Sequence, residues 1–154
     1  MAKFIYIPLL MIFAVILALY FLALQSKRGE APGLSEGKLV RCSKKPNCVC
    51  SEFSQSEKHT VEAIDFDRSH LELVKKAVLA IGGNLRQESD QYWAFTFSSS
   101  FFGFIDDLEI RYDDNSKKLH FRSSSRVGHS DLGANRKRVE LLKEKVIQLL
   151  AESE

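Results

Sequence analysis

Residues 121–139 read Phe-Arg-Ser-Ser-Ser-Arg-Val-Gly-His-Ser-Asp-Leu-Gly-Ala-Asn-Arg-Lys-Arg-Val. The stretch leaves an apolar strand, crosses a loop rich in serine, glycine and arginine, and enters the last helix with Arg136, Lys137 and Arg138 in or near its first turn. A helix N-terminus carries roughly half a positive charge, so three cations belong at the other end unless something negative sits among them. A segment that breaks its own local rule is where function is expected.

Working outward, the apolar pattern sets the neighbours of this stretch. Upstream, Leu108, Ile110 and Tyr112 alternate on one face, Asp113-Asp114-Asn115-Ser116 turns the chain, and Leu119 and Phe121 line the return. Placing Ile110 opposite Phe121 puts Glu109 opposite Arg122 and Asp107 opposite Ser124 on the polar side of the sheet, with Asp106 and Asp107 near Arg126. Opposed charges across a strand pair stabilise by roughly 0.2–1 kcal/mol. Downstream, Val139, Leu142, Val146 and Leu149 or Leu150 give the last helix one apolar face. Earlier in the chain, Trp93, Phe95 and Phe97 mark a half-buried strand over 92–97, followed by a turn or bulge with aromatics at 98–104. Leu71, Val74, Val78 and Ile81 mark a helix that Gly82-Gly83 ends and a Ser69/Glu72 capping box begins; residues 60–66 read as a first strand. The order β-α-β-β-β-α predicts an α+β domain, a small antiparallel sheet covered on one face by two helices.

One domain leaves part of the 154 residues over. Residues 4–24 contain no charge and, as a helix, span roughly 30 Å, the thickness of a bilayer core. A cleaved signal peptide is the rival to a single-pass signal anchor, but Tyr-Phe-Leu-Ala-Leu-Gln-Ser (20–26) offers no good small-x-small pair, so the anchor is favoured. For orientation, Lys3 stands before the segment against Lys27, Arg28, Lys38, Arg41 and Lys44 after it, which argues for a cytoplasmic domain. The short N-terminal tail and the cysteines argue the other way, and an extracytoplasmic domain is the expectation. Residues 25–41, with Gly29, Pro32, Gly33 and Gly37 among charges, read as a linker, leaving 42–154 as the domain. Cys42, Cys48 and Cys50 lack the fourth ligand and the spacing of a zinc site; a turn at Pro46-Asn47 favours a Cys42–Cys48 disulfide over free thiols.

Three stretches carry a resemblance. Cys42 with Lys-Pro-Asn-Cys-Val (45–49), Phe-Gly-Phe-Ile-Asp-Asp-Leu-Glu (102–109) and the run from Arg122 to Glu140 resemble the domain-of-unknown-function 1499 family over about residues 40–146. The resemblance implies a membrane-linked or extracytoplasmic bacterial or plastid domain without an assigned reaction. Cys50 departs from the serine usual in that pattern, which makes it the spare thiol, and Ser124 stands where alanine is common.

The residues offer four chemistries. Arg122, Ser124, Arg126, His129, Asn135, Arg136 and Arg138, with loop N–H groups at Gly128 and Gly133, have the types for an anion pocket that would take a lipid headgroup or a cell-wall carboxylate. Alternatively Asp106, Asp107, Glu109 and Asp131 pair with those arginines and the network docks the last helix. Ser124 or Ser125 with His129 and Asp131 contains the types of a hydrolytic triad acting on an envelope ester or phosphate, without a Gly-x-Ser-x-Gly elbow. Asp106, Asp107 and Glu109 as ligands for Ca²⁺ or Mg²⁺ are disfavoured, because the strand splits them between two faces. A net charge of +2 argues against a general nucleic-acid binder, no cofactor is called for, and a non-catalytic binding or assembly module, bound to the bilayer through residues 4–24, is the leading expectation.

Overall fold

The computed structural model describes residues 2–53 and 56–153. In chain order the elements are α1 (Ala2–Lys27), β1 (Leu34–Ser35), β2 (Lys38–Leu39), β3 (Cys48–Cys50), β4 (Ile64–Asp65), α2 (Leu71–Ala80), β5 (Asn84–Glu88), β6 (Tyr92–Ser98), β7 (Ile105–Asp113), β8 (Lys118–Ser125) and α3 (Ala134–Ser153). The fold is α+β. Strands β3, β8, β7, β6 and β5 lie side by side in that order, and β4 pairs with the other end of β8, so one sheet of six strands has antiparallel ladders throughout.

Helices α2 and α3 cover one face. Leu71, Val74, Ala77 and Val78 of α2 and Val139, Leu142 and Val146 of α3 recur every three or four residues, and they bury against Trp93, Phe95, Leu108, Ile110 and Phe121. A fully buried Leu, Val or Phe side chain contributes about 1.5–3 kcal/mol, so this core is the main source of stability. The C-terminus of α2 closes as its glycines require: Gly82 takes φ +92°, and the N–H groups of Gly82 and Gly83 donate to the Leu79 and Val78 carbonyls. Its N-terminus differs from the capping box expected at Ser69. Asp67 accepts both the N–H and the hydroxyl of Ser69 and starts a short 3₁₀ turn over Arg68–His70, after which α2 begins without a side-chain cap. A carboxylate two residues upstream outcompetes a hydroxyl for the free N–H groups.

The sheet is larger than the sequence pattern indicated. Strand β5 escapes periodicity because it is an edge: all five residues are exposed, the register shifts between Leu85 and Gln87, and Arg86 and Glu88 blunt the open side. Strand β3 is only Cys-Val-Cys, and the strand expected over 60–66 contracts to Ile64–Asp65, with Thr60 making a single bridge to Cys50. The β7–β8 hairpin keeps Ile110 opposite Phe121, Tyr112 opposite Leu119, Glu109 opposite Arg122 and Asp107 opposite Ser124.

The second face of the sheet is not open to water. Tyr92 and Ala94 face away from the helices into a smaller cluster with Leu39, Cys42, Cys48 and Cys50, against which Ala31 and Phe53 pack. The segment 25–41, expected as a tether, supplies this cover: β1 and β2 pair as a small hairpin, and Leu39 is fully buried. Backbone polar groups hold it down, the Gly33 N–H donating to Glu109 at 3.0 Å and the Leu39 N–H to the carboxylate of Glu52. Strand β6, expected to be half-buried, is therefore buried on both faces along Tyr92–Thr96.

Helix α1 is long and apolar enough over Tyr6–Lys27 to cross a membrane. From Tyr6 onward its side chains project free of the domain except near the C-terminal end, where Ala23 and Ser26 are buried. The Ser26 hydroxyl accepts from the Ile105 N–H at 3.1 Å and donates to the Ala23 carbonyl at 2.7 Å, fixing the helix end to the start of β7.

Candidate functional site

The residues expected to bind one anion divide between the two faces of the sheet, because alternate residues of β7 and β8 point in opposite directions. Asp106, Ser123, Ser125, Asn135 and Arg138 gather on the helical face. Asp107, Glu109, Arg122, Ser124 and Arg126 gather on the face covered by the N-terminal segment.

On the helical face Asn135, fully buried, is the hub. Its Nδ2 donates to the Asn47 carbonyl at 2.9 Å and the Ser125 hydroxyl at 3.0 Å, while its Oδ1 accepts from Ser123 at 2.6 Å and from Arg138 at 2.5 Å. Arg138 also pairs with Asp106 at 2.7 Å and lies over the Phe97 ring, 4.6 Å from its centre. The anion that the cationic start of α3 requires is Asp131, whose carboxylate accepts the Gly133 and Asn135 N–H groups at 3.0 and 2.8 Å. The helix N-terminus is thus occupied from within, which removes it as an external anion site. Arg136 is spent on the Glu57 and Lys58 carbonyls.

His129 is exposed and makes no hydrogen bond among the described residues; the Gly128 carbonyl beside it accepts from Asn47 at 3.2 Å. No hydrogen bond links Ser124 or Ser125 to His129 among the described residues, and Asp131 faces the helix N–H groups instead.

On the opposite face each carboxylate has an arginine. Arg122 Nη1 meets Glu109 at 2.5 Å, and Arg126 grips Asp107 with Nε at 2.8 Å and Nη2 at 2.7 Å. Glu109 is fully buried and also accepts from the Tyr92 hydroxyl at 2.9 Å. Burial pushes the Glu109 carboxyl above the usual carboxylate range, opposed by Arg122 beside it, and burial likewise raises the Tyr92 phenol. Asp106, Asp107 and Glu109 therefore each carry a guanidinium, on two different faces, rather than converging on a cation.

One donor in this network stays unsatisfied. Arg122 has a side chain 9% exposed, and its Nε is buried without a hydrogen-bond partner among the described residues. Arg122 lines a cleft of about 390 Å³ together with Ser43, Lys45, Ser124, Ser125 and Arg126, roofed by Gly29, Glu30 and Pro32. Beyond Arg126 and Asp107 a second cleft of about 520 Å³ continues past Lys27, Arg86 and Thr96. The roof is close: a Cβ at Gly29 would stand 3.2 Å from Arg126 Cδ. Lys45 and Ser43 carry no periodic signal, and their place in the wall comes from the turn that brings Cys48 back to Cys42. Those two cysteines are disulfide-bonded, with Cα atoms 5.6 Å apart, and Cys50 is a free, buried thiol that burial pushes up in pKa.

No curated protein matches the chain. The model of a family described as proteins of unknown function, DUF1499, matches residues 38–146, from β2 to the fourth turn of α3 and across both clusters. The chain belongs to the DUF1499 family.

Proposed function

We propose that this protein is a bacterial membrane-anchored binding module, with α1 as a single-pass anchor and its domain on the extracytoplasmic side, that takes the phosphate or carboxylate of an envelope lipid or wall fragment into the cleft beside Arg122. The observation that carries the reading is Arg122 in the wall of that cleft, with its buried Nε left without a hydrogen-bond partner among the described residues. An arginine has five donors, and a buried one left unmade costs about 1–3 kcal/mol, so a turn of the Arg122 guanidinium toward an oxyanion in the cleft gains what the folded chain leaves unmade. Lys45, exposed and without an ion pair among the described residues, and the hydroxyls of Ser43 and Ser124 supply further donors. The Cys42–Cys48 disulfide supports the extracytoplasmic side, because disulfides persist in oxidising compartments.

Native mass spectrometry of the detergent-extracted full-length protein tests this, with Lys45→Glu and Ser124→Ala as variants that leave both buried ion pairs intact. The expected result is a discrete anionic adduct on the wild type that both variants lose. A bare wild type, or an adduct equally retained in both variants, overturns the reading. An adduct recovered only in cleaved form replaces binding with hydrolysis.

A further inference from the structure

Beyond the end of α1, the two most exposed large apolar side chains are Phe101 and Leu132, at 91% and 92%. They lie on different loops, β6–β7 and β8–α3, yet both loops leave the same end of the sheet, where Ser98 pairs with Ile105 and Asp106 with Ser125. That end is also where α1 docks, through the Ile105 N–H on Ser26 and Arg126 on the Ser26 carbonyl. The ammonium of Lys27 lies 3.7 Å from the place of a Cβ on Gly103, so the aromatic loop sits beside the last turn of the apolar helix.

Neither side chain is buried by the domain. Phe101 meets Phe102 in a tilted pair with centroids 5.3 Å apart, and Phe102 meets Phe104 likewise at 5.9 Å, forming an aromatic ridge on a loop closed by Ser99, Gly103 and Phe104 hydrogen bonds. Leu132 holds left-handed backbone at φ +54°, which costs a non-glycine residue roughly 1–2 kcal/mol, while its side chain is left in water. Aromatic residues concentrate at the headgroup level of a bilayer, where cationic side chains such as Lys27 extend their charge to the polar layer.

We propose that Phe101 and Leu132 dip into the leaflet from which α1 emerges, giving the domain a three-point seat on the bilayer surface. The inference rests on α1 spanning the membrane. The second cleft, lined by Lys27, Ile105 and Arg126, is then held at headgroup depth.

The test uses full-length protein in vesicles of phosphatidylcholine and phosphatidylglycerol. An environment-sensitive fluorophore is placed at Phe101→Cys, at Leu132→Cys or at Asn115→Cys on the far turn of the sheet; the native free thiol, Cys50, is buried. The expected result is blue-shifted emission, quenched by lipids carrying a spin label near the headgroup, at both loop positions and at neither for residue 115. Protein that resists alkaline carbonate extraction but shows water-like, unquenched emission at both loops overturns the seat and leaves the anchor standing. Shielded emission without lipid quenching overturns it in favour of a protein partner. Release by carbonate removes the anchor and the seat together.

Discussion

Arg126 donates from Nη1 to the Ser26 carbonyl at 3.0 Å, joining the end of the apolar helix to a loop 100 residues further along the chain. The same guanidinium holds Asp107 with its other two nitrogens, so one side chain closes a helix terminus, neutralises a buried acid and forms the partition between two clefts. The last carbonyls of a helix have no partner within it, and Arg126 supplies one.

Removing that link exposes a buried charge. Arg126→Ala leaves Asp107 unpaired at 3% exposure and is expected to lower stability by about 3–5 kcal/mol. Thermal unfolding followed by the fluorescence of Trp93 measures it. Adding Asp107→Asn is expected to recover part of the loss; an additive double variant would show that the pair does not interact.

Asn135 serves four partners through its side chain, and its bonds to Ser123 and the Asn47 carbonyl are buried. Asn135→Ala is expected to destabilise by roughly 3 kcal/mol or more, since each buried polar group left unmade costs about 1–3 kcal/mol. Arg136→Ala, which loses only exposed carbonyl contacts, is expected to fall within about 0.5 kcal/mol of wild type. Equal losses in the two variants would show that the hub is not in the buried face of α3.

The cysteines give a counting experiment. Denatured without reductant, the protein takes up one alkylating group, at Cys50, and with reductant it takes up three. Three labels without reductant refute the disulfide. Loss of the bridge by Cys42→Ser and Cys48→Ser together is expected to cost about 2 kcal/mol from the short loop it closes.

His120 introduces a dependence on pH. Burial lowers its pKa, partly offset by Glu52, and its Nδ1 lies 3.2 Å from the Ser51 hydroxyl. The unfolded chain binds a proton below about pH 6.5 that the folded chain refuses, so stability is full above that value and falls as pH drops toward the lower folded pKa. His120→Gln is expected to flatten the unfolding midpoint between pH 7.5 and pH 5 relative to wild type. An unchanged slope assigns the acid sensitivity to other groups.

The sequence by itself determined the elements whose information is local. Period two in 106–112 and 119–121, joined by Asp113–Ser116, sets the hairpin register and hence Glu109 opposite Arg122, because a slip by one residue would turn every apolar side chain to the wrong face. Spacing of three and four gives the buried faces of α2 and α3, and length with composition gives α1. Long-range packing brings residues 29–39 over the polar face, Lys45 into one wall with Arg122, and Arg126 onto Ser26. Several of those contacts join residues 76 to 100 apart in sequence, such as Gly33 with Glu109 and Ser26 with Arg126, through backbone groups and single side chains that leave no periodic mark. The division of the arginines between two clusters follows from the same cause. Alternation along β7 and β8 assigns each residue a face, but what covers each face depends on where α3 and the N-terminal segment pack.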